Sequence, residues 1–97
     1  MKLEFDLYKV EDIGKNLEGF IQKGEFIVVG ELMVDNEEHF MCHPIKEGIK
    51  LIDGANIQDF SFRLPKNYFK KTGVSVEFDI PKKYLTLDII EDIQRLN

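Results

Sequence analysis

The stretch Val74-Ser75-Val76-Glu77-Phe78-Asp79-Ile80 alternates apolar and polar residues without a break, and Leu3-Glu4-Phe5-Asp6-Leu7 does the same near the other end. Successive side chains of a β-strand point to opposite faces, so each stretch predicts a strand with one buried and one hydrated face. Such strands are typical of antiparallel sheets that are covered on one side, whereas the strands of parallel sheets are apolar throughout. The alternation therefore predicts an α+β fold with a mostly antiparallel sheet.

The middle of the chain supplies further strands. Residues 25–34 are rich in β-branched and apolar side chains, which predicts a central strand. A turn over 35–38 and a returning strand over 39–45 would complete a hairpin. Two more short strands are expected over 49–52 and 57–64, so we expect five or six strands in total.

Two apolar stripes at helical spacing predict one helix over 10–23 and a second near the end of the chain, both packed on one face of the sheet. The stripes consist of Val10, Ile13, Leu17, Phe20 and Ile21, and of Leu85, Ile89, Ile93 and Leu96. The predicted core comprises Leu3, Phe5, Leu7, Ile13, Leu17, Phe20, Phe26, Val28, Phe60, Phe62, Val76, Phe78, Ile89 and Ile93.

Length and composition predict a single domain over residues 1–97, with 43% hydrophobic residues and eight Phe to build one core. The lone cysteine, Cys42, excludes an internal disulfide and fits a reducing compartment. No charged segment is followed by a long apolar run, and no apolar run is long enough to cross a bilayer. We therefore expect a cytoplasmic protein. The excess of Lys over Arg indicates AT-rich coding, as in a low-GC bacterium or its phage.

The formal net charge of −5 disfavours nonspecific binding to nucleic acid or to anionic lipid. One pattern occurs twice, each time after an alternating strand, and predicts the same strand-to-helix corner: Leu64-Pro65-Lys66-Asn67-Tyr68-Phe69 and Ile80-Pro81-Lys82-Lys83-Tyr84-Leu85. The lysines of these two corners are the strongest candidates for a basic patch. The stretch from Leu64 to Val76 also resembles the Leu-Pro-Lys…Gly-Val segment of swapped-hairpin transcription factors, but the rest of that family's pattern is absent. Nucleic acid is thus a disfavoured partner.

The densest group of reactive side chains is Glu37-Glu38-His39-Phe40-Met41-Cys42-His43. On a strand, His39 and His43 share a face while Cys42 points the other way, so the three residues do not converge on one ion. A two-histidine metal site or a small enzyme built on His39 and His43 is an alternative hypothesis. The opposing interpretation is a half-buried hairpin strand with Cys42 as a small core residue.

The leading hypothesis rests on the acidic side chains. The hairpin contributes Glu31, Asp35, Glu37 and Glu38, and the last helix contributes Asp88, Glu91 and Asp92. Acidic surfaces on small rigid domains steer basic proteins toward them. We therefore predict a noncatalytic, cofactor-free module that binds a basic protein such as a nuclease, with inhibitor or immunity-type action as the sharpest form. A homo-oligomer that pairs through an exposed sheet face or edge is a further alternative.

Overall fold

A computed structural model of the chain describes residues 1–11 and 24–97. Within these residues, five strands form one antiparallel sheet in the order β4-β3-β2-β1-β5. A helix over Leu87–Leu96, here the C-terminal helix, packs on the sheet, and 3-10 turns over Lys66–Tyr68 and Lys82–Tyr84 follow the two edge strands. The antiparallel α+β character predicted from the alternation is confirmed. The strands are β1 (Lys2–Val10), β2 (Gly24–Val34), β3 (Glu37–Pro44), β4 (Phe62–Pro65) and β5 (Phe69–Asp79).

The helix predicted over 10–23 is not confirmed. Val10, its first predicted residue, is the last residue of β1, and residues 12–23 lie outside the described residues. In the described part of the N-terminal half there is no helix.

The strand predicted over 49–52 is wrong, because residues 45–61 form a connecting loop with turns. The strand predicted over 57–64 begins only at Phe62, since the side chain of Asn56 organises a turn before it. Asn56 Oδ1 accepts hydrogen bonds from the backbone N–H groups of Gln58 and Asp59, and Asp59 Oδ2 accepts one from the N–H of Asn56. Hydrogen bonds from side chains to the nearby backbone compete with the backbone bonds between strands and so favour a turn.

The hairpin between β2 and β3 is confirmed, with a tighter turn than predicted. Asp35 and Asn36 have φ angles of 50° and 63°, so both lie in the left-handed region. Asp and Asn tolerate this region better than most residues, and a two-residue turn of this kind matches the twist of the strands it joins. The turn therefore fixes the register along which the acidic side chains of the hairpin are presented.

A β-bulge interrupts the hairpin ladder between Val28 and Gly30 and leaves Val29 as the extra residue. The carbonyl of Val29 accepts a hydrogen bond from Gln58 Nε2 at 2.9 Å, so the loop satisfies the backbone acceptor. A Cβ atom on Gly30 would lie 2.5 Å from Gln58 Nε2 and 2.5 Å from Met41 Cε. The missing side chain of Gly30 is what allows Gln58 to reach the bulge.

We expect Gly30→Ala to lower the free energy of unfolding by about 1–3 kcal/mol, the cost of leaving the buried Val29 carbonyl without its donor. The two obstructing atoms end flexible side chains, so the fold itself should persist. Urea unfolding measures the difference, with Gly24→Ala as the control, because a Cβ there meets no atom of the described residues within 4 Å. Equal losses in the two variants would contradict the role assigned to Gln58.

One face of the sheet carries the C-terminal helix. The helix-side cluster joins alternate residues of β1 and β2 to the loop and to the helix. Thr86 caps the helix, since its side chain accepts the N–H of Ile89 at 3.2 Å. The fully or largely buried members of this cluster are Leu3, Phe5, Leu7, Ile27, Val29, Ile57, Ile80, Tyr84, Ile89 and Ile93.

The side chain of Asn97 ties the end of the C-terminal helix to the sheet. Its Oδ1 accepts the backbone N–H of Asp6 on β1 at 3.0 Å, and its Nδ2 donates to the Val28 carbonyl on β2 at 3.1 Å. Nδ2 also donates to the Ile93 carbonyl at 2.9 Å. One amide thus joins two neighbouring strands to the helix.

The sheet is strongly curved, and the face opposite the C-terminal helix is its concave side. Three residues connect β4 to β5, although a flat sheet would place these outer strands about 19 Å apart, four strand spacings. The ring centroids of Phe40 on β3 and Phe69 on β5 lie only 5.1 Å apart, which shows that β5 approaches a strand three positions away in the sheet. A second cluster fills the concave side and consists of Val10, Phe26, Cys42 and Leu64, with Tyr68 and Phe69 packed against it.

The predicted core is correct for the two central strands and the C-terminal helix, and wrong for two aromatic residues. Phe60 and Phe62 are exposed, by 52% and 38%. Val76 and Phe78 are half-buried because β5 is an edge strand. Predicted core residues in the described part that are buried are Leu3, Phe5, Leu7, Phe26, Val28, Ile89 and Ile93. Ile13, Leu17 and Phe20 lie outside the described residues.

The repeated corner predicted from the sequence is present. Pro65 and Pro81 have nearly equal backbone angles, and each precedes a three-residue 3-10 turn. The residues before the two prolines, Leu64 and Ile80, are both fully buried. The same sequence pattern therefore anchors the chain at the exit of each edge strand.

The edge strand β5 is interrupted at its centre. The β1–β5 register shifts between Asp6 and Tyr8, and Gly73 adopts a φ of 81° in the irregular segment. Thr72 Oγ1 donates to the Leu7 carbonyl at 2.9 Å and accepts the Val74 N–H, which holds the irregular segment in place. Bulges of this kind discourage edge-to-edge pairing. The homo-oligomer hypothesis stays a prediction, and this edge offers it little support.

Candidate functional site

The seven acidic residues predicted to bind a partner are here called the acidic surface. Asp35 occupies the turn of the hairpin, and Glu37 and Glu38 open β3 directly after it, all three exposed. Glu31 lies farther down β2, opposite Phe40, and is half-buried. The strand geometry therefore puts the hairpin carboxylates on a rigid, protruding element.

Glu31 is the anchor of the acidic surface. Its Oε2 accepts a hydrogen bond from Lys66 Nζ at 2.5 Å, and its Oε1 accepts one from Arg95 Nη1 at 2.9 Å. The bonds from Lys66 and then from Arg95 hold the pKa of Glu31 below its ordinary value. Lys66 also approaches Glu38 Oε2 at 3.5 Å and stacks over the Phe40 ring, with Nζ 5.0 Å from the centroid. Glu31 is therefore a structural carboxylate.

Arg95 joins the two halves of the acidic surface. Besides the bond to Glu31, its Nη2 lies 3.6 Å from Asp92 Oδ1, one turn earlier on the C-terminal helix. One helix carboxylate, Asp92, and one hairpin carboxylate, Glu31, thus meet at the Arg95 guanidinium, although Glu31 and Arg95 are 64 positions apart in sequence. Asp88 and Glu91 are exposed on the same helix.

Four members of the acidic surface, Asp35, Glu37, Asp88 and Glu91, make no ion pair with any described residue. The other three are paired with Lys66 or Arg95. The paired carboxylates hold the hairpin and the helix together, whereas the unpaired ones present negative charge to the solvent.

The two histidines do not come together. His39 pairs with Leu32 and His43 with Ile27, so four residues of β3, about 13 Å, separate them. His43 is 2% exposed, and its Nε2 donates to the Ile57 carbonyl at 2.8 Å. Burial lowers the pKa of His43, which keeps the ring neutral. Within residues 1–11 and 24–97, no three His, Cys, Asp or Glu residues are placed to hold a metal ion, and the metal hypothesis stays a prediction without a third ligand.

Cys42 is a core residue of the concave side. Its side chain is fully buried, and Sγ lies 3.6 Å from the Phe62 carbonyl. Burial raises the pKa of the thiol to about 12, so no useful fraction is thiolate at neutral pH. This supports the interpretation of Cys42 as a small apolar residue.

The lysines of the two repeated corners do not form one basic patch. The corners lie at opposite ends of β5, which is eleven residues long. Lys66 of the first corner pairs with Glu31, and Lys83 of the second pairs with Asp53. Lys71, just after the first corner, pairs with Asp6. Lys83 and the Tyr84 hydroxyl both donate to Asp53, which lowers the pKa of that carboxyl.

The sequence analysis missed a cleft beside β4. It has a volume of about 620 Å³ and lies between the 45–61 loop and the start of β4, at the end of β3 away from the turn. Phe60 and Phe62 form its apolar wall, and His43 contributes to its base. Lys50, Arg63, Glu47 and Asp59 bring two charges of each sign. The signal available in the sequence was the stretch Phe60-Ser61-Phe62-Arg63, whose two phenylalanines we had assigned to the core.

No family model, no curated protein and no solved structure matches the chain. Among the described helices, none is long and apolar enough to cross a membrane.

Proposed function

We propose that the chain is a small noncatalytic module that binds a basic protein partner through the acidic surface. The observation that carries the proposal is the bridge made by Arg95, which links Glu31 of the hairpin to Asp92 of the C-terminal helix. An interface assembled from two elements is rigid before the partner arrives, so little ordering entropy opposes binding.

The charge distribution supports this function. The acidic surface holds seven carboxylates and two cations, an excess of five negative charges, which equals the formal net charge of the whole chain. The rest of the molecule is therefore neutral on balance. A field concentrated on one surface raises the association rate of a partner with opposite charge.

The chemistry of the other reactive side chains also favours binding over catalysis. Burial leaves Cys42 protonated and His43 neutral, and the Ile57 carbonyl engages the ring of His43. The sharpest form of the proposal is inhibitor or immunity-type action, in which the acidic surface covers the basic active site of a nuclease or another nucleic-acid-binding protein.

We expect Glu37→Lys combined with Glu91→Lys to slow association with the basic partner by about tenfold or more at low salt, and by less at high salt. Both side chains are exposed and unpaired, so the exchange should leave the fold intact. The partner is first captured from a lysate of the source organism at low and high salt, and association rates are then measured by surface plasmon resonance.

The control exchanges an equal number of charges elsewhere. Glu4 and Glu77 face each other across β1 and β5 and are exposed, so Glu4→Lys with Glu77→Lys changes the net charge by the same amount. A rate loss of equal size in the control would show a response to net charge alone. Unchanged rates in the Glu37 and Glu91 variant would remove the acidic surface from the interface.

A further inference from the structure

The cleft beside β4 is separate from the acidic surface and is built from different elements. We propose that it binds a short zwitterionic peptide with an apolar or aromatic side chain. Its volume of about 620 Å³ lies within the roughly 300–1,000 Å³ typical of small-molecule sites. Four features of its lining define this class of ligand.

The apolar wall is the first feature. Phe60 and Phe62 lie two residues apart, and each exposes a large part of its ring. Removing apolar surface from water stabilises a complex in proportion to the area buried. An apolar side chain between these rings would recover stabilisation that the free protein leaves in the solvent.

The unoccupied nitrogen of His43 is the second feature. A carbonyl oxygen can only accept, so the contact with Ile57 fixes the proton on Nε2 and leaves Nδ1 as an acceptor. Nδ1 has no partner in the described part of the chain, and no fully buried side-chain nitrogen or oxygen there is unsatisfied. Nδ1 therefore keeps a small accessible area on a side chain that is 2% exposed. Because His43 lines the cleft, Nδ1 can accept a hydrogen bond from a ligand N–H or O–H there.

The charged side chains supply the third and fourth features. Lys50 and Arg63 offer two cations, and Arg is suited to paired hydrogen bonds with a carboxylate. Glu47 and Asp59 offer two carboxylates to an ammonium group. None of these four side chains is ion-paired with another described residue. Asp59 Oδ2 already accepts the backbone N–H of Asn56, so Asp59 can offer only its other oxygen to a ligand.

The two cations and two carboxylates that line the cleft indicate which class of ligand it fits. A simple anion such as a nucleotide would meet Glu47 and Asp59 as well as the cations, and a simple cation would meet Lys50 and Arg63. A molecule with an ammonium, a carboxylate and an apolar side chain satisfies both signs, the aromatic wall and the acceptor at Nδ1. Free amino acids and short peptides have this composition, and the volume of the cleft favours a peptide.

The test uses the dipeptide alanylphenylalanine as the probe and heteronuclear NMR of the whole chain as the readout. We expect saturable shifts at millimolar peptide, confined to amides of residues 43–50 and 59–63, together with a shift of the His43 Nδ1 resonance. Acetylating the amino group or amidating the carboxyl group of the peptide should weaken binding about tenfold each, which is the loss of one charge-assisted contact.

Variants of the cleft complete the test. Arg63→Gln should reduce affinity for the free carboxylate about tenfold and should not affect the amidated peptide further. Phe60→Ser should weaken the binding of both peptides, and because Phe60 is exposed the substitution should leave the fold intact. Lys82→Gln, an exposed lysine that does not line the cleft, is the matched control and should bind normally.

Two results would overturn the proposal. One is the absence of saturable shifts at millimolar peptide. The other is binding that survives both Phe60→Ser and Arg63→Gln, which would place the peptide outside the cleft. Equal affinity for the acetylated peptide would refute the zwitterionic class and identify the ligand as a simple anion.

Discussion

Phe5→Ala is expected to lower the free energy of unfolding by about 3–5 kcal/mol. The Phe5 ring is fully buried in the helix-side cluster, at the centre of β1. Removing it leaves a cavity between the sheet and the C-terminal helix, which the rigid strands can close only in part. Urea-induced unfolding followed by circular dichroism would measure the loss, with an unchanged m-value as the sign that both states are preserved.

Phe78→Ala provides an internal comparison for this prediction. Phe78 pairs with Leu3 across β1 and β5, and its ring meets that of Phe5 edge-on at a centroid distance of 6.0 Å. It is half-buried on an edge strand, so its removal should cost roughly half as much as the removal of Phe5. Equal losses would mean that the outer side of β5 is covered in solution, and a negligible loss for Phe5 would contradict the arrangement of the helix-side cluster.

Local periodicity predicted the strands that carry alternating side chains, because a period of two is a property of the strand itself. Both quoted stretches form β1 and β5, and the hairpin and the C-terminal helix also lie close to where the pattern placed them. The turn at Asp35 and Asn36 was detectable for the same reason, since these residues tolerate a positive φ.

Hydrophobic periodicity gave wrong predictions of burial at positions where burial requires a second element to cover the strand. Phe60 and Phe62 alternate with polar residues as a core face would, but no element of the described chain covers them. The sequence around Asn56 and Asp59 contained the signal for a turn, in side chains that bond to the nearby backbone. The two aromatic residues that were wrongly expected in the core form the wall of the cleft instead.

The candidate site was predictable as a set of residues and not as an arrangement. Each acidic residue was identified from its charge and its place on a strand or helix. The contacts that unite them, from Lys66 and Arg95 to Glu31, span 35 and 64 positions in sequence. Such pairings depend on how the sheet curls and where the helix docks, and no local pattern encodes either.

Between about pH 7 and pH 5, the expected effect of pH on stability comes from His43. Its pKa in the folded state is lowered, chiefly by burial and in spite of the hydrogen bond to the Ile57 carbonyl, whereas an unfolded histidine titrates near 6.5. Between these two values the unfolded state binds more protons than the folded state, so the free energy of unfolding rises with pH. The stabilisation is present in full above pH 6.5 and is lost as the pH falls toward the folded pKa.

We expect a loss of up to about 1.4 kcal/mol for each pH unit within that window, as measured by urea unfolding between about pH 7 and pH 5. His43→Gln should remove this slope, at a cost of about 1–3 kcal/mol at neutral pH if the amide fails to reach Ile57. His39→Gln is the matched control, because His39 lies on the same strand, is half-exposed and contacts only the Glu37 carbonyl.

The carboxylates do not interfere with this measurement. Glu31, Asp53 and Asp79 each have a lowered pKa, because Lys66, Lys83 and the N-terminal amine respectively donate to them. Their stabilisation is present above the unfolded pKa of about 4 and is lost only at lower pH. Among the described residues, we therefore assign the slope between pH 7 and pH 5 to His43. A slope of the same size in His43→Gln would show that another group produces it.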